Sequence, residues 1–226
     1  MYTNFIEVLR KELKGDLPGE MAQLKMSPNV RFTGNIQPNK TETRQSAVLI
    51  LLYPKNNSLY IPFIQRPRYN GAHSGQISLP GGKAELGDVD YMQTALRETH
   101  EEIGVNIADI DIIGQLSPIF IPNSNFNVYP YIGYINYIPE FKPDTYEVES
   151  IIEAPLSQIL NPNNIDFFEK EKNGIQIKAP YFNINKNIIW GATAMILSEF
   201  IEVIKSPKNS PTPLDSYNVH NAQESH

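Results

Sequence analysis

The chain has 226 residues, with 19 basic and 25 acidic side chains and a formal charge of −6 at neutral pH. Its 41% hydrophobic content against 19% charged residues excludes a disordered chain and supplies a core for one large domain. The lack of cysteine excludes disulfides, a thiol nucleophile and thiolate metal sites, so a metal here must be held by oxygen or imidazole. Net negative charge disfavours non-specific nucleic-acid binding but leaves room for a small anion met by local arginines or cations.

In chain order, Phe5, Ile6, Leu9 and Leu13 recur at helical spacing and predict an amphipathic helix over residues 3–14, ended by Gly15, Pro18 and Gly19. The opening MYTNFIEVLRKELKGD lacks the apolar core of a signal peptide. The longest strong apolar run, Ala47 to Tyr53, is far shorter than the roughly 18 residues that a membrane span needs. A cytoplasmic protein without membrane attachment is the expectation. Residues 20–43 read as an extended approach with little regular structure. Ser46–Tyr53 reads as a buried strand, and Leu59–Gln65 as a second strand that Pro62 pushes towards an edge, with a hairpin connection at Pro54–Asn57.

Residues 66–88 are glycine-rich and suit a ligand-facing loop. Val89–Ile103 has a helical pattern, stopped by Gly104 and capped by Asp88 or Asp90. Strands are expected at Ile110–Leu116, Val128–Tyr137 and Glu149–Ile152, then a short helix opened by Pro155. An Asn-rich turn, short strands at 175–179 and 181–184, and a helix over Gly191–Ile204 follow. The organisation is thus an N-terminal helix and approach over 1–42, a principal domain over 43–204, and a flexible tail over 205–226.

Chemistry concentrates between residues 81 and 104. On a helix, Glu98, Glu101 and Glu102 project to one side, and three carboxylates brought together in a cleft repel unless cations neutralise them. Such oxygen ligands suit magnesium or manganese. A solvated acidic face, with Arg97 paired to Glu101, is the plainer alternative; the flexible SGQISLPGGK segment before the helix favours the metal site. Arg66, Arg68 and Lys83 are the local cations for a phosphate-bearing substrate, and His73 and Gln76 can add hydrogen bonds. His100 turns away from Glu98 and Glu102 and reads as structural or exposed. Neither a phosphate-binding loop ending in Lys-Ser or Lys-Thr nor a G-x-S-x-G elbow occurs.

The run Gly82 to Asp88, followed after eight residues by Arg97-Glu98-Thr99-His100-Glu101-Glu102-Ile103-Gly104, resembles the signature of the Nudix hydrolases. It departs by one extra residue before Arg97, by Asp88 in place of glutamate and by Thr99 in place of an aliphatic residue. The LPGGK-x-E-x-x-D run of Leu79 to Asp88 and the ALRE-x-x-EE-x-G run of Ala95 to Gly104 resemble the coenzyme A diphosphatase branch. Arg66 and Gly75 also match that branch's upstream motif, while Gly71 and Leu79 do not.

The resemblance implies an α/β fold, a Nudix-type α/β/α sandwich with a mixed sheet. It implies hydrolysis of the diphosphate of coenzyme A or acyl-CoA with Mg2+ or Mn2+, giving 3′,5′-ADP and the phosphopantetheine product. A diphosphatase for ADP-ribose or another nucleoside diphosphate derivative is the enzymatic alternative, and a non-catalytic nucleotide-binding module the other. By resemblance the Gly81 carbonyl joins Glu98, Glu101 and Glu102 as a metal ligand, Glu98 can instead serve as the base, and Glu147 is a further metal ligand or base, with a plain surface role as its alternative. Arg97 is expected to hold a carboxylate of the loop or the glutamate trio. The expected partner is a small diphosphate, with no nucleic acid and no membrane; the resemblance also allows a homodimer.

Overall fold

The computed structural model of the protein describes residues 2–32, 43–68, 75–122, 124–172, 175–206, 214, 217 and 218. Among them are five α-helices: α1 (Thr3–Glu12), α2 (Gly19–Gln23), α3 (Tyr91–Ile103), α4 (Leu156–Leu160) and α5 (Ala192–Ile204). The strands are β1 (Asn29–Phe32), β2 (Arg44–Lys55), β3 (Ser58–Gln65), β4 (Ile77–Ser78), β5 (Gly81–Lys83) and β6 (Asp111–Gln115). Then come β7 (Ile119–Ile121), β8 (Phe126–Tyr134), β9 (Ser150–Pro155), β10 (Ile165–Lys172), β11 (Ile175–Ile184) and β12 (Asn187–Trp190). No helix among the described residues is long and apolar enough to cross a membrane.

β2 organises the fold. Residues 49–53 are apolar and buried on both faces, the pattern of a central strand covered on each side. It runs parallel to β8 from Arg44↔Phe126 to Leu52↔Tyr134, takes β5 antiparallel at Ser46–Val48, and turns into β3 through Asn56 and Asn57, both at positive φ. β6 and β7 pair with β8, while β4 and β9 pair with β3, completing a mixed sheet. A second, antiparallel sheet has the order β1-β11-β10, with β12 also on β11.

α3 covers one face of the mixed sheet through Ala95 and Ile103, packed with Ala47, Leu49, Leu51 and Ile64. α1 and α5 cover the other face, where Phe5, Leu9, Leu197 and Phe200 share a core with Ile50 and Ile132. The fold is therefore the expected α/β/α sandwich with a mixed sheet.

Three expectations are corrected. Residues 20–32 are not an irregular approach, since they hold α2 and β1; β1 gains its order from β11, nearly 150 residues away, with Asn29 opposite Lys178. Residues 33–42 lie outside the described residues. The Asn-rich turn is brief, at 161–164, and is followed by β10, whose charged IDFFEKEK sequence fits an outer strand of its sheet.

The third concerns proline. Pro62 does not displace β3 to an edge, and Pro180 does not divide β11. Pro62 pairs with Glu153 of β9 and lies between the β2 pairing, which ends at Tyr60, and the β4 pairing, which begins at Ile64. Pro180 likewise falls between the β1 pairing, which ends at Lys178, and the β12 pairing, which begins at Tyr181. Each proline occupies an interval where a missing N–H forfeits no ladder bond on the side where the neighbour changes.

Within the expected tail, Tyr217 is anchored. Its ring lies 6.1 Å from Tyr2 and 5.6 Å from Phe5, and its hydroxyl is 2.7 Å from Ser58 Oγ. Replacing Tyr217 by alanine should lower unfolding free energy by roughly 2–4 kcal/mol, because a buried aromatic ring is lost. Ser58→Ala should cost no more than about 1.5 kcal/mol. Urea denaturation of both variants distinguishes ring packing from the hydroxyl contact.

Candidate metal-binding active site

The site forms where β5 passes between β2 and α3. Gly82 lies opposite Ala47 and Gly81 opposite Val48. Gly81 has φ 150°, and a Cβ there would overlap the Ala47 carbonyl and the Val48 backbone; a Cβ at Gly82 would overlap the Glu98 carboxylate. Gly81 is thus required by its conformation and by the close approach of β2, while Gly82 leaves the Glu98 carboxylate its present position against β5. α3 is fixed at one end by Asp90, whose side chain accepts from the Gln93 N–H, and at the other by Gly104 in the left-handed conformation. This resolves the choice of N-cap in favour of Asp90.

Glu102 is 1% exposed, and its Oε2 accepts a hydrogen bond of 2.8 Å from the Gly81 N–H. Its Oε1 has no hydrogen-bond partner among the described residues; Arg66 Nη2 stands 3.7 Å away, at ion-pair distance, and 3.5 Å from the Gly81 carbonyl. Glu98, Glu102 and Glu147 each offer a carboxylate oxygen, and these atoms all lie within 4.8 Å of one another.

Burial pushes Glu102 up to about 8; the Gly81 N–H and Arg66 oppose this rise, while Glu98 and Glu147 add to it. Burial also raises Glu98, against the pull of Arg97 and with further repulsion from Glu101 and Glu147. A divalent cation fits this donor set: the carboxylates are hard oxygen ligands, they repel in its absence, and one buried oxygen has an unmet bond.

Arg97 links the loop to the helix. Nε and Nη2 donate to the two Asp88 oxygens at 3.0 and 3.1 Å, and Nη1 donates to Glu98 and Glu101, each at 2.9 Å. Nη2 also reaches the Lys83 carbonyl at 3.1 Å. Hydrogen bonding to Arg97 holds the Asp88 carboxyl well below the usual carboxylate range. Asp88 additionally accepts from the Glu85 N–H and the Thr94 hydroxyl, tying the loop to the first turn of α3.

Glu147 arrives by a different route. The end of α3 leaves carbonyls without helical partners, and two of them receive the following segment: Lys142 N–H donates to Ile103 O at 2.9 Å and Asp144 N–H to Glu102 O at 3.1 Å. The Asp144 side chain then caps the N–H groups of Tyr146 and Glu147. The backbone of the glutamate helix therefore carries the loop that brings Glu147 to Glu98 and Glu102.

The structure brings together Arg66, Gly81, Glu98, Glu102 and Glu147. Glu101 lies on the exposed side of α3, paired with Arg97 and outside the three-carboxylate group. Arg68 is exposed, with its side chain beside Gly75; Lys83 is exposed and contributes its carbonyl to Arg97. Gln76 accepts the Arg66 N–H through its carbonyl, and His73 lies outside the described residues. His100 is exposed, with Nδ1 2.9 Å from Val105 O. Sequence reasoning passed over Asp144; its Asp-x-x-Glu spacing, which suits a side-chain-capped turn, was the available signal.

The NUDIX domain family model matches residues 43–171, more than half of the chain. The chain belongs to the Nudix family. Nudix hydrolase 15, mitochondrial, of Arabidopsis thaliana is 35% identical over 71% of this chain and 58% of its own. The human mitochondrial coenzyme A diphosphatase NUDT8 is 31% identical over 64% of this chain and 61% of its own. The chain thus spans about three-fifths of the length of these two curated Nudix relatives. Among solved structures, a MutT/nudix family protein from Enterococcus faecalis shares the fold, with TM-score 0.53 at 16% identity over 80% of this chain and 70% of that one.

Cation binding should expel the Glu102 proton. At pH 7, Mg2+ or Mn2+ binding should release close to one proton, read by calorimetry in buffers of different ionisation enthalpy. In metal-free protein the raised Glu102 value contributes stability that is complete below 4.5 and is lost as pH rises through about 8. Glu102→Gln should flatten that decline and remove the stabilisation by metal. Binding heats independent of buffer would contradict the assignment.

Proposed function

We propose that this Nudix chain is a Mg2+- or Mn2+-dependent diphosphatase acting on a nucleoside diphosphate derivative such as ADP-ribose. The observation that carries this reading is the meeting of Glu98, Glu102 and Glu147 beside the Gly81–Gly82 turn, with one buried Glu102 oxygen lacking a hydrogen bond among the described residues. When bound, the cation offsets the negative charge of a diphosphate and makes water easier to deprotonate.

The residues divide the remaining work. Glu98, Glu102 and Glu147 hold the cation; the Gly81 carbonyl is a further ligand, and Glu101 joins only if it leaves Arg97. Glu98 also stands close enough to the same space to accept a proton from water, and its raised affinity for protons suits that role. Arg97 fixes Glu98 against Asp88. Arg66 faces the cluster and meets the diphosphate, with Arg68, Lys83, Gln76 and His73 assigned to the outer parts of the substrate. Water adds to one phosphorus, the bridging P–O bond breaks, and the two phosphate products separate.

A narrower reading, coenzyme A or acyl-CoA, draws on the LPGGK and ALRE-x-x-EE segments, on Arg66 and Gly75, and on the activity named for the human relative. Gly71 and Leu79 depart from that branch, which is why the broader substrate class is preferred.

Purified protein should be offered ADP-ribose, a dinucleoside polyphosphate and coenzyme A with Mg2+ or Mn2+, and the products identified by mass spectrometry. Metal-dependent conversion of ADP-ribose to AMP and ribose 5-phosphate is expected, with Glu98→Gln and Glu102→Gln each slower by about 100-fold or more. Exclusive formation of 3′,5′-ADP from coenzyme A would replace the broader reading with the narrower one. No hydrolysis of any anhydride, or full activity in Glu102→Gln, would overturn both.

A further inference from the structure

Strand register places one more polar group on the side of the sheet that carries the carboxylates. Ser78 lies opposite Ile64, and directly paired residues of an antiparallel ladder share a face. Ile64 packs beneath α3 with Ala95, Ile103 and Val148. Two residues after Ile64 and just past the end of β3, Arg66 returns to the same face, where its guanidinium approaches Glu102. The bond from the Arg66 N–H to Gln76 O, 3.0 Å, continues the ladder past Ser78. Ser78 is therefore a diagonal neighbour of Arg66, on the face turned towards α3.

Ser78 Oγ is buried and, like Glu102 Oε1, lacks a hydrogen-bond partner among the described residues. A buried hydroxyl without a partner is destabilising, and the row it flanks, Ile64 and Ile151, is apolar. Alanine would serve that row better. Arg66, the diagonal neighbour of Ser78 in the register, makes long contacts to Gly81 O and Glu102, at 3.5 and 3.7 Å. An unmet hydroxyl diagonal to a loosely held arginine offers a donor and a charge to one oxygen-bearing group, while the Glu102 oxygen is left to the cation.

We propose that Ser78 is a ligand-contacting residue whose hydroxyl donates a hydrogen bond to a diphosphate oxygen of the substrate beside Arg66. This rests on the diphosphate reading above and extends it to a residue that neither the glutamate helix nor the cation set includes. Arg66 supplies charge; Ser78 supplies a neutral, directional donor. Its role has a signature that packing alone would not produce, because removing the hydroxyl helps the empty protein and harms the liganded one.

The test compares wild type, Ser78→Ala and Ser78→Thr, measuring thermal unfolding in EDTA and ADP binding by calorimetry with Mg2+. Ser78→Ala should melt a few degrees higher than wild type without ligand and bind ADP about tenfold more weakly, while Ser78→Thr, which keeps the hydroxyl, should bind within about threefold of wild type. Unchanged ADP affinity in Ser78→Ala overturns the proposal, as does a lower melting temperature in EDTA, which would assign the hydroxyl to an internal water. Turnover of the wild type separates the two readings. Weaker ADP binding by Ser78→Ala in a protein that hydrolyses no diphosphate retains Ser78 and discards the enzyme; unchanged binding in an active enzyme does the reverse. Wild type that binds no ADP overturns the Ser78 contact outright.

Discussion

The bond from the Gly81 N–H to the buried Glu102 carboxylate is the constraint on which the site depends. It draws a helix carrying acidic side chains against a strand, in a place where charge is poorly solvated. One neutral N–H cannot compensate a buried carboxylate, and Arg66, at ion-pair distance, lowers the penalty without removing it. The helix is held there by packing instead. Ala95 and Ile103 seat it on the apolar face of β2, and Thr99 returns its hydroxyl to the Ala95 carbonyl within the helix. The energy of the sandwich core thereby keeps in place an arrangement that its own electrostatics oppose, and a cation relieves that opposition.

Arg97 makes the opposition selective. It compensates Asp88, Glu98 and Glu101 through one planar guanidinium and stops short of Glu102 and Glu147. Negative charge is consequently answered on the loop side of α3 and only partly answered, by Arg66 and the Gly81 N–H, on the side facing β5. Glu98 stands at the boundary, sharing an oxygen with Arg97 while belonging to the three-carboxylate group. That dual position suits a residue asked both to hold a cation and to accept a proton, since either use must loosen its tie to Arg97.

Much of this was legible along the chain because it depends on neighbours in sequence. The limits of α3 follow from a capping aspartate and a terminal glycine, and β2 announces itself by an unbroken apolar run. Periodicity also groups Glu98, Glu101 and Glu102, yet it cannot say which flank of the acidic stripe meets the sheet. Packing decides that, turning Glu102 inward to Gly81 and Glu101 outward to Arg97. Glu147 was suggested by resemblance alone, since its position arises from backbone hydrogen bonds to the last carbonyls of α3. The hidden elements share a cause. β1 and Tyr217 acquire order from partners more than 140 residues away, and the strands containing Pro62 and Pro180 are tolerated only because their neighbours change at those points.

The central claim is that burial beside Gly81 assembles a cation site from Glu98, Glu102 and Glu147. Anomalous diffraction from a crystal soaked in Mn2+ tests it most directly, because the ion locates itself independently of turnover. The account predicts a peak in coordinating contact with Glu98 and Glu102 and adjacent to Glu147. A manganese peak held by Glu101 on the outer face of α3, or none at the buried cluster at saturating metal, would contradict it.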